Sequence, residues 1–147
     1  MKLSAIVLLL SFIVTLTACG GGNNNSGNIN GNWTATLTNP QGNTQFAFTT
    51  SFTQGSGSDL NIVNFQLTTA GSCFDSPTTE TGSFSLGGDF NGNVTGQFGM
   101  TISTEFPNNN NVLTLNGAVS AGTITGTWTL TGVSGCTGNG SFTMTHS

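Results

Sequence analysis

The sequence predicts an all-β domain, an eight-stranded antiparallel up-and-down barrel, with a β-sandwich as the alternative arrangement. Three observations lead there. Phe, Val, Ile, Leu and Trp recur with period two between turn signals, the pattern of strands with one buried face. One unit is written three times, GNINGNWTA at 27–35, GNVTGQFGM at 92–100 and GTITGTWTL at 122–130. The connections are mainly of hairpin length, so consecutive strands become neighbours, and closing the sheet removes the edges that a Thr-rich, nearly uncharged sheet would expose.

Within the repeated unit, Ile29/Val94/Ile124, Gly31/Gly96/Gly126, Trp33/Phe98/Trp128 and Ala35/Met100/Leu130 fall two residues apart. In a strand they share the buried face, while Thr and Asn take the other. A glycine between a branched residue and a large ring lets the strand bend sharply or leaves room for an aromatic from the next strand.

The first strand, 29–38, buries Trp33, Ala35 and Leu37, and after a turn at 39–42 the second, 44–53, buries Phe46, Phe48 and Phe52. The third, 59–69, begins with Leu60 and Ile62 inward and continues with Val63, Phe65 and Leu67, a change of parity that predicts a β-bulge near Ile62 and Val63. Residues 70–81 form the longest loop and carry Cys73, Asp75, Pro77 and Glu80. A short fourth strand, 82–86, turns Phe84 and Leu86 inward, and 89–92 is a hairpin turn. The fifth strand buries Val94, Phe98, Met100 and Ile102, the sixth, 111–120, buries Leu113, Leu115 and Val119, the seventh is the last repeat, and the eighth, 138–145, buries Phe142 and Met144.

Ahead of this domain lies a leader. Met1 and Lys2 precede an apolar run over 3–14, then Leu16, Thr17, Ala18 and Cys19, which reads as a secretory signal over 1–18. The run is shorter than the roughly 20 residues a helix needs to cross hydrocarbon. The Leu-x-Ala-Cys ending closely resembles the lipobox of bacterial lipoproteins. That resemblance implies cleavage behind Ala18, a diacylated Cys19, membrane attachment through that lipid and a place in the cell envelope. With Gly20 after the cysteine it implies outer-membrane sorting. Residues 19–28 are a Gly/Asn tether reaching roughly 17 Å as a coil, and 29–147 is the barrel domain.

Three cysteines in an exported chain are odd in number, but with lipid on Cys19, Cys73 and Cys136 remain as one pair in an oxidising compartment. Two buried free thiols are the alternative. In an eight-stranded meander the connections after strands one, three, five and seven lie at one end, so the loops bearing Cys73 and Cys136 meet there and the termini lie at the other. No CxxC spacing occurs and the single histidine, His146, sits beside a terminus expected to fray, so neither a metal nor a cofactor is expected.

Composition excludes further classes. Lys2 is the single basic side chain. Removing it with the leader takes the formal net charge from −4 to −5, with Asp59, Asp75, Glu80, Asp89 and Glu105 unopposed. Nucleic-acid binding needs Lys or Arg to neutralise phosphate, and none remains.

In the first strand Gly31-Asn32-Trp33 resembles the Gly-x-Trp motif of lipocalin-like (calycin) barrels and, more faintly, avidin. That resemblance implies an eight-stranded barrel able to hold one small ligand. The leading expectation is a core filled by its own aromatic side chains in a non-catalytic structural or interaction domain. The alternative is a calyx for a small apolar ligand lined by Trp33, Phe98 and Trp128, with Gly126 leaving the space. Catalysis is not expected, because no base is placed near a nucleophile. The row Thr123, Thr125, Thr127, Thr129 belongs to the outward face.

Overall fold

Eight strands follow one another around a closed barrel in the computed structural model: β1 (Gly31–Thr38), β2 (Thr44–Gln54), β3 (Asp59–Thr69), β4 (Thr78–Phe90), β5 (Asn93–Thr104), β6 (Val112–Ser120), β7 (Thr123–Thr131) and β8 (Gly138–His146). The structure describes residues 29–90, 93–105, 110–120 and 122–147, and the side chains of these except 88–90, 93 and 94. The expected signal 1–18, the expected lipidation site Cys19, the expected tether 19–28, the turn residues Asn91 and Gly92, and the side chain of Val94 lie outside them. All strand pairs are antiparallel, and β8 closes on β1 from Trp33 opposite His146 to Thr38 opposite Ser141. The up-and-down barrel, rather than the sandwich, is the fold.

Closure is helped by a pair of small inward residues set among large ones around the wall. At one level Phe84, Phe98, Gly117, Gly126, Phe142, Leu37 and Phe46 stand opposite one another in turn from β4 round to β2. A Cβ on Gly117 would lie 2.8 Å from the Phe142 ring, one on Gly126 would run into the Asn116 carbonyl, and one on Gly96 into the Phe84 ring. Both roles expected of the repeat glycines are therefore used: backbones approach closely, and rings lie over the bare Cα atoms. The rings meet inside as a chain, with centroids 6.3 Å apart for Trp33–Phe52, 5.6 Å for Phe52–Phe98 and 6.2 Å for Phe98–Phe142. Each fully buried Phe or Leu contributes about 1.5–3 kcal/mol.

Most outward positions carry hydroxyls or amides. Thr34 faces Thr145, Thr36 faces Thr143, Thr114 faces Thr129 and Thr125 faces Thr143 across neighbouring strands. This is the reverse of a membrane-spanning barrel, whose outer band is apolar.

Five local expectations are corrected. The bulge in β3 sits at Asn64 and Phe65, which together oppose Thr50, because Gln66 pairs with Thr49 and Val63 with Ser51. Asn64 takes the positive φ of 54° that the bulge demands. Val63 therefore points outward and is 45% exposed. β4 runs from Thr78 to Phe90, well beyond the short strand expected, and Leu86 is 51% exposed because β4 there has passed the start of β3. His146 is the last residue of β8 instead of part of a loose end: it pairs with Trp33, its ring stands edge-on to that indole at 5.1 Å, and its Nε2 lies 3.1 Å from the Asn30 carbonyl.

One seam is incomplete. β3 and β4 are joined at Asp59 opposite Ser83 and Leu60 opposite Gly82, and beyond Leu60 they diverge. Every other ladder runs through six or more register pairs.

Candidate functional site

The two ends and the open seam are the places where the barrel differs from a plain wall. At the first end the connections after β1, β3, β5 and β7 gather, and Cys73 and Cys136 form the expected disulfide with Cα atoms 5.6 Å apart. Cys73 belongs to a 3₁₀ turn, Gly71–Phe74, that leads off from β3. That turn folds back over the mouth because Phe74 is apolar and finds the barrel's upper ring. Phe74 packs edge-on to Phe46 at 5.7 Å, and Phe46 edge-on to Trp128 at 5.5 Å.

Asn111 fastens this end. Its side chain is fully buried, donates to the Cys73 carbonyl at 2.7 Å and accepts from the Val133 amide at 3.0 Å. Its own amide donates to Thr104 Oγ1 at 3.1 Å. One amide thus joins the connections before β4, before β6 and before β8, satisfying backbone groups that burial would otherwise leave unpaired. Beside this knot lies a cleft of about 400 Å³, lined by Asn39, Gln45, Phe46, Ser72, Trp128 and Asn139 among others, none of them charged.

The opposite end is closed by the segment entering β1. Ile29 is buried, and its carbonyl accepts a 2.9 Å hydrogen bond from Trp33 Nε1. Asn30 Oδ1 accepts from the Gln54 amide at 2.7 Å, tying the entering chain to the end of β2.

The four residues proposed to line a calyx lie in the wall and core. Trp33, Phe98 and Trp128 are each 3% exposed. The indole N–H groups are satisfied internally, that of Trp128 by the Thr38 carbonyl at 2.9 Å. Gly126 faces Gly117 across β6 and β7, so its missing side chain is replaced by backbone instead of open space.

The seam is built differently. Along β3 the inward residues Ile62, Phe65 and Leu67 are only half-buried, although they pack on the core. On the facing strand Thr78 and Glu80 share the inward parity of Phe84, and both are half-buried. Glu80 accepts a hydrogen bond from Thr78 Oγ1 and stands opposite Ile102 on its paired side. Asp75, Glu80 and Glu105 belong to the disulfide end, with Glu105 held by Thr79 Oγ1 at 2.9 Å, whereas His146 is at the other. Among the described residues no group of three or more His, Cys, Asp or Glu comes together.

Sequence reasoning missed Asn111 and Phe74. Both sit at junctions of loop and strand, where period-two patterning gives no signal, although a lone Phe in a polar loop is a hint of a plug. No family model, curated protein or solved structure matches this chain.

Proposed function

We propose that this chain is a non-catalytic envelope protein, held at the bacterial outer membrane by lipid on Cys19, whose barrel is a filled scaffold that acts through its surface. The observation that carries the scaffold reading is the sealing of the interior. Ala35, Leu37, Phe48, Ile102, Leu113, Leu115, Ile124 and Met144 have no exposed surface, and Phe74 and Ile29 close the two mouths. Barrels of this strand number are either filled or hold one small ligand, and full burial of both tryptophans favours the first. The lipid anchor rests on the Leu-x-Ala-Cys ending alone.

Native mass spectrometry of the full chain purified from membranes, with tryptophan-fluorescence titration by an apolar probe, tests this. The expected results are a protein mass increased by the acyl groups on Cys19, lost in Cys19→Ser, and no change in emission. A stoichiometric apolar adduct that quenches Trp33 or Trp128 would replace the filled scaffold with a lipocalin-like carrier.

A further inference from the structure

We propose that the open seam between β3 and β4 is the docking site for an extended, basic segment of a partner protein, which adds as a strand. This rests on the reading of the barrel as a filled scaffold that acts through its surface.

Three independent observations meet at the seam. First, among the described residues the edge of β3 that faces β4 has no ladder partner from Asn61 to Thr69, and neither has the facing edge of β4 from Thr78 to Thr81. Backbone donors and acceptors arranged as a strand edge are completed by another strand, the mode called β-augmentation. The bulge at Asn64 breaks the β3 edge, so the stretch on offer is residues 65–69, about 17 Å at ~3.3 Å per residue, with a second register shift at Thr68, between Leu67 opposite Phe48 and Thr69 opposite Ala47, bending its far end. Gly82 against Ile62 closes the foot of the wedge, since a Cβ there would lie 3.1 Å from Ile62 Cδ1.

Second, the half-buried apolar strand residues packed on the core, Ile62, Phe65 and Leu67, all lie along this edge. An added strand would turn alternate side chains inward beside them and complete burial that the barrel leaves unfinished.

Third, the charge is one-sided. Glu80 stands half-buried on the inward side of the facing strand, with Asp75 in the adjoining loop, and the described residues contain no Lys or Arg. A second copy of this chain therefore offers Glu80 no cation from its described residues, whereas a Lys or Arg on an incoming strand meets it directly. The partner's chemistry is thus an extended segment alternating apolar and basic residues.

The test uses the full chain and an acetylated, amidated peptide alternating Val with Lys, about seven residues long. Its controls are the Val/Glu counterpart and a version N-methylated on alternate amides. Binding is read by calorimetry and by amide hydrogen exchange. The Val/Lys peptide should bind, and the amides of residues 65–69 and 78–81 should become protected. N-methylation should abolish binding because it removes the ladder donors. Glu80→Gln should weaken the Val/Lys peptide about threefold, on the scale of a partly exposed ion pair. Asp59→Asn, the same change of charge on an outward position at the closed foot, should leave affinity unchanged.

Absence of binding overturns the proposal, as do N-methylated peptide binding equally well, protection confined to the disulfide-end cleft, and equal loss from both variants, which would mark diffuse attraction to an anionic surface. A concentration-dependent dimer protecting the same amides without peptide assigns the seam to a second copy instead. None of these readouts involves Trp33 or Trp128, so failure here leaves the filled-scaffold reading standing.

Discussion

The wall formed by β6 and β7 and the seam between β3 and β4 are made from similar material and behave oppositely. β6 and β7 pair without a register shift from Val112 opposite Thr131 to Ser120 opposite Thr123, and Leu113, Leu115, Val119, Ile124, Trp128 and Leu130 are all buried there. β3 is as apolar as β6, with Leu60, Ile62, Val63, Phe65 and Leu67, yet its ladder with β4 stops after two pairs. Hydrophobicity therefore does not decide which strands zip together. What sets the two apart is parity, unbroken in β6 and β7 and broken in β3, which still pairs with β2 through seven positions across its bulge, together with the small residues that let two backbones approach, as Gly117 and Gly126 do. In β3 the extra residue at Asn64 rotates the strand partway along, and the loop that follows is drawn across the mouth to Cys136.

The largest test of that contrast is to add bulk to the tight wall. Gly126→Leu drives a side chain into the Asn116 carbonyl and the Gly117 backbone. Because backbone cannot give way as a side chain can, the expected loss is on the order of 5 kcal/mol, enough to unfold a marginal domain. Gly82→Ala at the foot of the seam meets side-chain atoms instead, Ile62 Cδ1 at 3.1 Å and Leu60 Cβ at 3.3 Å, and should cost about 1 kcal/mol. Chemical denaturation of the two variants separates these outcomes, and equal costs would refute the backbone explanation.

Removing the disulfide should come next. Cys73 and Cys136 are separated by 63 positions, and Cys136→Ser is expected to cost about 4 kcal/mol by the chain-entropy relation. The denaturation midpoint under reducing and oxidising conditions measures it. An effect below about 1 kcal/mol would mean that Asn111 and Phe74 already hold the mouth shut. Asn111→Ala should cost about 2–3 kcal/mol in its own right, since it strands the Cys73 carbonyl and the Val133 amide in a buried place.

What was legible in the sequence divides along the same line. Period-two patterning gave the eight strands, the barrel and the inward faces of β1, β2, β6, β7 and β8, because those strands keep one parity throughout. The meander's geometry gave the meeting of Cys73 and Cys136. The change of parity in β3 was visible as a change, but Ile62-Val63-Asn64-Phe65 offers an apolar residue on either side of the break, so its place was not. Leu86 misled for a related reason: burial depends on a neighbour strand reaching that far, and strand length is not written in alternation. Asn111 was invisible because its role is to join three connections distant in sequence. Glu80 was read as part of a loop, and its place on the inward side of β4 follows from that strand beginning at Thr78.

The smallest change in stability carries the sharpest question about the seam. Deleting Asn64 leaves one residue opposite Thr50 where two now stand and gives Leu60, Ile62, Phe65 and Leu67 a single parity. It removes a non-glycine residue held at positive φ, a conformation that costs about 1 kcal/mol, and also separates Thr50 Oγ1 from the Val63 carbonyl at 3.3 Å, so net stability should move by less than about 1 kcal/mol. Hydrogen exchange of residues 65–69 is the informative readout. If the bulge keeps β3 from β4, those amides exchange more slowly in the deletion variant as the ladder extends past Leu60, and the Val/Lys peptide loses its site. Unchanged exchange would move the cause to the disulfide-tied loop, and the same deletion in a Cys136→Ser background would then be the variant in which the seam closes.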